Sequence, residues 1–249
     1  MAKHTLLYLG AHPDDETTLA PLLGKAVKDG HRVHIVTITS GQRGVRPHFG
    51  MEAGEALGEI RAEEFRASVR TLGATQAWLL GYQDGAIAAL DPFWDIVGSV
   101  RRVVNEVKPD VIVTFGPDGL TGHLDHRTAS EVATIVFQRR WLLECEPKKL
   151  YYYGFPESVF GGDANPINRK RDFLLVSDQF ITTVVDCSDV AENSLRSLEC
   201  HKSQWRPERM EQLKYVYRDL MRGRVYLRLA LTTLPWPSKR ERDIFEGLD

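Results

Sequence analysis

Apolar residues along this chain fall into short unbroken runs bounded by glycine, proline and charge, alternating with stretches where they recur every three or four positions. Residues 5–10 and 111–115 read as buried strands. Residues 31–39 alternate and are rich in β-branched side chains, giving another strand, and a short one is expected around 77–80. Helices are predicted over 17–28, closed by Asp29-Gly30, over 55–72 before Gly73, over 93–107 before Pro109, and from about 127 to 140. Strand, helix and strand within the first 39 residues make a βαβ unit, for which parallel pairing with a right-handed crossover is the rule. The second half is less regular, with strands expected at 150–155 and 180–185 and helices at 189–204 and 207–220. The pattern predicts an α/β protein: a Rossmann-like three-layer fold with a mostly parallel sheet and helices on both faces. Residues 1–249 read as a single domain with a variable C-terminal extension from about 205.

Two strand ends carry unusual chemistry. The first strand runs into Ala11-His12-Pro13-Asp14-Asp15-Glu16, and the strand at 111–115 runs through a glycine-rich loop into His123-Leu124-Asp125-His126. Residues beyond the carboxyl ends of parallel strands project into the crevice where α/β proteins bind ligands. His12 and Asp15, like His123 and His126, are spaced i, i+3, which brings side chains to one side of a tight turn. Three ligands drawn from these four positions would make an open divalent-metal site. Any one of them alone is as well explained by a helix cap or a loop hydrogen bond; two such clusters after two parallel strands are not.

Composition narrows the partners. The formal net charge of -2 gives no electrostatic reason to expect nucleic acid or a membrane surface. Cys145, Cys187 and Cys200 are an odd number without CxxC spacing, which points to reduced thiols and not to a disulfide frame or thiolate zinc site. No apolar run approaches the roughly 20 residues needed to span a bilayer, so a cytoplasmic protein is expected.

The paired motifs resemble the signature of the PIG-L/LmbE superfamily of zinc-dependent N-acetylglucosaminyl deacetylases. The likeness extends to residues 61–64, the loop 80–85 and His201-Lys202-Ser203-Gln204. It implies a hydrolase that removes the N-acetyl group from a GlcNAc-containing small molecule, with zinc-bound water as nucleophile. One Zn2+ per chain would be held by His12, Asp15 and His126, although a His/His/Asp set accepts other divalent metals. Asp14 would be the general base, His123 would stabilise the oxyanion or protonate the amine, and Asp125 would orient a histidine. Arg61 and Asp84 resemble positions that bind sugar hydroxyls. His201 resembles a substrate contact, while its place near a helix C-terminus is equally explained by the helix dipole. A homo-oligomer is compatible with the resemblance, and no stripe in the chain specifies one.

Two departures stand out: Leu124 replaces a common proline, and Arg43 and Arg46 occupy a loop that is often acidic in relatives. Specificity is therefore expected to reside in the loops 42–53 and 155–171. The competing enzymatic reading is a metal-dependent phosphoesterase, which usually needs more bridging carboxylates. A non-catalytic sugar- or nucleotide-binding module is the other alternative, but neither G-x-G-x-x-G nor a P-loop is present. Trp78, Trp94, Trp141 and Trp236 are expected as core or interface anchors and residues 239–243 as a solvated charged face; Trp205, next to Ser203 and Gln204, is a candidate to line the site, though a structural role is the commoner one for such a residue.

Overall fold

All six residues of β1 (Thr5–Gly10) and all five of β4 (Val111–Phe115) are buried, because helices cover the sheet on both faces and leave no polar side to these strands. With β2 (Arg32–Thr39), β3 (Gln76–Tyr82), β5 (Lys149–Tyr153), β6 (Thr183–Asp186) and β7 (Arg224–Thr232) they form one sheet in the order β3-β2-β1-β4-β5-β7-β6. The first five strands in that order pair in parallel, and β7 is antiparallel to both β5 and β6. The computed structural model describes residues 3–161 and 174–248. Residues 162–171 of the expected specificity loop thus lie outside the described residues.

Helix α1 (Ala20–Lys28) packs with α2 (Glu55–Leu72), while α3 (Leu90–Val107) packs beyond it in sequence against the later helix that follows β4. After β4 come the short turn α4 (Gly119–Gly122), that helix, α5 (Leu124–Gln138), and α6 (Glu157–Phe160); α7 (Ala191–Leu195), packed on α1, and α8 (Pro207–Tyr215) complete the α-helices of the described residues. The chain runs outward from β1 to β2 and β3, then returns to lay β4 on the other side of β1. The topological switch point therefore falls between the carboxyl ends of β1 and β4, where ligand crevices form in such sheets.

Several boundaries differ from the pattern reading for identifiable reasons. α3 starts at Leu90 because Pro92 sits in its first turn, where a missing N–H breaks no helical bond. α5 starts at Leu124, so His123 is its N-cap and Leu124 takes the N1 slot that proline favours but does not monopolise. The stretch expected as one helix over 189–204 breaks into α7, a 3-10 turn at Arg196–Cys200 and a non-helical turn. β7 went unpredicted, though Val225, Leu227 and Leu229 are its buried residues at every second position. Nor is residue 241 on a solvated face. Glu241 is buried, with Oε1 at 2.6 Å from Lys149 Nζ and Oε2 accepting from Tyr151 Oη at 2.7 Å and Thr183 Oγ1 at 2.8 Å. Trp94, Trp141 and Trp236 are exposed, which excludes the core half of the core-or-interface expectation for them.

Candidate metal and catalytic site

The turn after β1 is shaped by its own carboxylate. Asp15 Oδ2 accepts the backbone N–H groups of Ala11 at 2.9 Å and His12 at 2.8 Å, which leaves Oδ1 facing His126 Nε2 at 3.3 Å. His126 Nδ1 lies 3.0 Å from the Gly119 carbonyl, and since a carbonyl only accepts, Nδ1 carries the proton and Nε2 presents its lone pair. The ring stacks on Phe115 with centroids 4.0 Å apart. On the other side, His12 Nε2 sits 3.2 Å from both Asp125 Oδ2 and Asp84 Oδ1. That nitrogen is held as a donor, so Nδ1, 3.6 Å from Asp15 Oδ2, is the one left to bind.

His12, Asp15 and His126 can each offer one atom to a common metal position. A tetrahedral ion with bonds of about 2.0–2.1 Å separates its ligand atoms by roughly 3.3 Å. The 3.3 Å between His126 Nε2 and Asp15 Oδ1 matches that spacing, and the nitrogen and oxygen donor set suits a divalent ion. A second grouping, His12 with His123 and Asp125, shares His12. There one atom of each partner is already engaged: Asp125 Oδ2 accepts the Gly85 N–H at 2.8 Å, and His123 Nδ1 accepts the Asp125 N–H at 3.2 Å.

Charge is concentrated here. Burial works against a proton on His12, but the hydrogen bonds it donates to Asp125, Asp15 and Asp84 outweigh it and hold its pKa well above the ordinary imidazole value. Burial would raise Asp15, yet His126 and His12 bring it well below the usual carboxylate range. Asp84, despite burial, is lowered to about 2, chiefly by its bond and charge interaction with His12. Asp14 goes the other way: burial raises it, and the Arg61 charge offsets only part of that. His123, exposed at the mouth, is lowered by partial desolvation and by His12 and His126. Because its Nδ1 accepts the helix N–H, the neutral ring carries its proton on Nε2.

These groups line a cavity of about 710 Å³. Asp14, His123, Arg61 and Asp84 reach it, as do Arg43 and Arg46 of the loop after β2 and Trp205. The apolar wall formed by Phe155, Phe160, Leu213 and Tyr217 comes from two separate segments, of which only the first falls in a loop expected to bear on specificity. Arg61 is buried, with Nη2 donating to the Pro13 carbonyl at 2.5 Å and Nη1 to the Gly41 carbonyl at 2.8 Å. The loop can lie this close only because Gly41 and Gly44 lack side chains: a Cβ would come within 2.2 and 1.9 Å of Arg61 Nη1. Asp84 spends Oδ2 on the Arg43 N–H at 2.9 Å. His201 is fully buried behind the turn, 2.6 Å from Glu16 Oε1, and is not among the cavity-lining residues. Glu16 itself was legible as part of the motif but not as the partner of a residue near the other end of the chain.

Residues 7–137, 131 of the 249, match the family described as PIG-L: GlcNAc-PI de-N-acetylase. The chain belongs to the PIG-L family. Among its relatives, the 1D-myo-inositol 2-acetamido-2-deoxy-alpha-D-glucopyranoside deacetylase of Actinosynnema mirum is 30% identical over 230 residues, covering 80% of each chain. The enzyme of the same name from Streptomyces scabiei is 34% identical over 151 residues, 52% of this chain and 47% of its own length. Similar solved structures include the N,N'-diacetylchitobiose deacetylase of Pyrococcus horikoshii, with TM-score 0.66 and 18% identity over 91% of this PIG-L chain and 82% of the other. GalB, the 4-carboxy-2-hydroxymuconate hydratase of Pseudomonas putida, has TM-score 0.71 and 16% identity over 94% of this chain and 99% of its own. At such identities the likeness concerns the fold, and a fold shared by a deacetylase and a hydratase does not choose the reaction.

Proposed function

We propose that this protein is a metal-dependent N-deacetylase that hydrolyses the acetamide of a GlcNAc-containing small molecule, with one zinc ion per chain held by His12 Nδ1, Asp15 and His126 Nε2. The observation that carries the reading is the separation of the two aspartates. Asp15 faces the ligand histidines, whereas Asp14 stands outside that group with a raised pKa and opens on the cavity. When bound, the ion would acidify water and polarise the scissile carbonyl. Asp14, more basic than a free carboxylate, accepts the water's proton. His123, neutral with its proton on Nε2, donates a hydrogen bond to the oxyanion, and the proton that Asp14 took from the water passes to the departing amine. Asp125 holds His12 in the binding tautomer. Arg61 and Asp84 act on the sugar side of the cavity, Arg61 mainly by fixing the Asp14 turn and Asp84 mainly by anchoring the loop of Arg43.

The relatives named for a GlcNAc-inositol deacetylase support this substrate class. Acetate release should be measured across GlcNAc conjugates with metal-assayed protein, beside phosphate release from generic esters. Acetate release lost in Asp14→Ala by about 10²–10⁴-fold, the worth of general acid-base catalysis, supports the reading. Phosphate release, or no acetate from any conjugate, refutes it.

Among the described residues no helix is long and apolar enough to cross a membrane.

A further inference from the structure

Asp14 has φ 106° and ψ -20°, in the left-handed region that an aspartate enters only when its surroundings hold it there. Three neighbours do so. Thr17 donates to the Asp14 carbonyl through its N–H at 3.1 Å and its Oγ1 at 2.6 Å. Arg61 Nη2 lies 3.2 Å from Asp14 Oδ1. Glu16 Oε2 accepts the Asp14 N–H at 3.1 Å. Arg61 reaches the Asp14 side chain from α2, whereas Glu16 holds the Asp14 backbone and is itself anchored by two remote segments: Glu16 Oε1 accepts from Ser68 Oγ on α2 at 2.5 Å and from His201 Nε2 at 2.6 Å. Glu16 is 1% exposed, and Ser68 and His201 are fully enclosed. The turn carrying His201 is itself fastened, with Ser203 donating from N and Oγ to Glu64 of α2 at 2.7 and 2.6 Å and Gln204 Nε2 donating to the Gly44 carbonyl at 2.9 Å.

We infer that Glu16, clamped by His201 and Ser68, is a positioning residue for Asp14. By holding the Asp14 amide it keeps the backbone left-handed and the carboxylate turned into the cavity, away from the ligand group formed by its neighbour Asp15. The His201-Lys202-Ser203-Gln204 segment thereby gains a role that needs no contact with substrate. A change of φ at Asp14 would swing its Cβ and move the carboxylate by more than the ångström that already costs about 10²-fold in rate. The inference rests on the reading of Asp14 as general base.

The test uses the zinc-loaded full chain. Glu16→Ala is expected to lower kcat by about 10²-fold, with KM and zinc stoichiometry those of the parent. Glu16→Gln keeps an amide oxygen for the Asp14 N–H and is expected to recover most of the loss. In an Asp14→Ala background, Glu16→Ala should cost nothing further, because no carboxylate is left to position. Crystal structures of the zinc-loaded variants read the same point without turnover: Asp14 should keep a positive φ in Glu16→Gln and lose it in Glu16→Ala. An unchanged φ in Glu16→Ala, or a large extra loss in the double variant, overturns the positioning role. Should Glu16→Ala not fold, Ser68→Ala and His201→Asn loosen Glu16 instead, and parent kcat in both would overturn the inference. Full turnover in Asp14→Ala overturns the base reading itself and leaves the φ comparison to decide what Glu16 holds.

Discussion

Asp125 Oδ2 lies 3.2 Å from His12 Nε2, joining the start of α5 to the turn after β1 across 113 residues of sequence. The same oxygen accepts the Gly85 N–H at 2.8 Å, so one carboxylate ties together the loops after three strands and decides which nitrogen of His12 faces Asp15. Partners of this kind are worth about 10–100-fold in metal affinity. Asp125→Ala should therefore bind zinc that much more weakly with all three ligands intact, as measured by competition with a chelator of known affinity. Equal affinity would remove Asp125 from the tuning of the site.

Metal uptake should release protons. In the metal-free protein the His12 pKa is well above 6.5, so the ring is charged at neutral pH and its proton must leave before Nδ1 can bind. Affinity should rise with pH up to that elevated pKa, and calorimetry in buffers of different ionisation enthalpy should report the proton. For metal-free protein the sign is opposite: the raised pKa contributes stability in full below about 6.5, lost as pH climbs through the folded-state value. A zinc-binding enthalpy independent of buffer at pH 7 would contradict the charged His12.

Loss of His126 should remove the metal response and spare the fold. A ligand that binds only the native state at 100 times its Kd adds about 2.7 kcal/mol, so zinc should raise the melting temperature of the parent and of Asp14→Ala. His126→Ala should show little or no rise. The same zinc-dependent shift in all three proteins would disprove the ligand assignment.

The C-terminal segment is expected to matter for stability and not for chemistry. Glu241 accepts from Lys149, Tyr151 and Thr183, tying residues on β5 and β6 to a stretch beyond β7. Removing one partner of a buried ion pair strands the other charge and costs about 3–5 kcal/mol. Glu241→Ala should lose that much in urea unfolding while kcat, measured below the transition, stays at the parent value. An unchanged unfolding midpoint would show that Lys149 finds water.

Where local pattern decides structure, the reading from sequence was close: β1, β4 and α2 follow from unbroken apolar runs and a glycine stop. It failed where tertiary contacts override pattern. β7 and the buried Glu241 lie in a stretch without chemical motifs, and the helix expected over 189–204 is broken so that His201 can turn inward to Glu16. The apolar wall beside Trp205 draws on residues 155–160 and 213–217, whose periodicity gives no sign that they meet.

The amino-acid sequence by itself determined which residues carry the chemistry: histidines and aspartates placed just past the ends of parallel strands, a position that α/β topology converts into a shared crevice. Only the tertiary structure decided how that chemistry is divided. Asp14 and Asp15 are chemically identical neighbours, and what separates them is partners: Asp15 meets His126, while Asp14 meets Arg61 and, through its amide, Glu16 held by His201 from 185 residues further along. Such pairings depend on how the sheet and its covering helices pack, and hydrogen bonds across that distance leave no periodic trace in the order of residues.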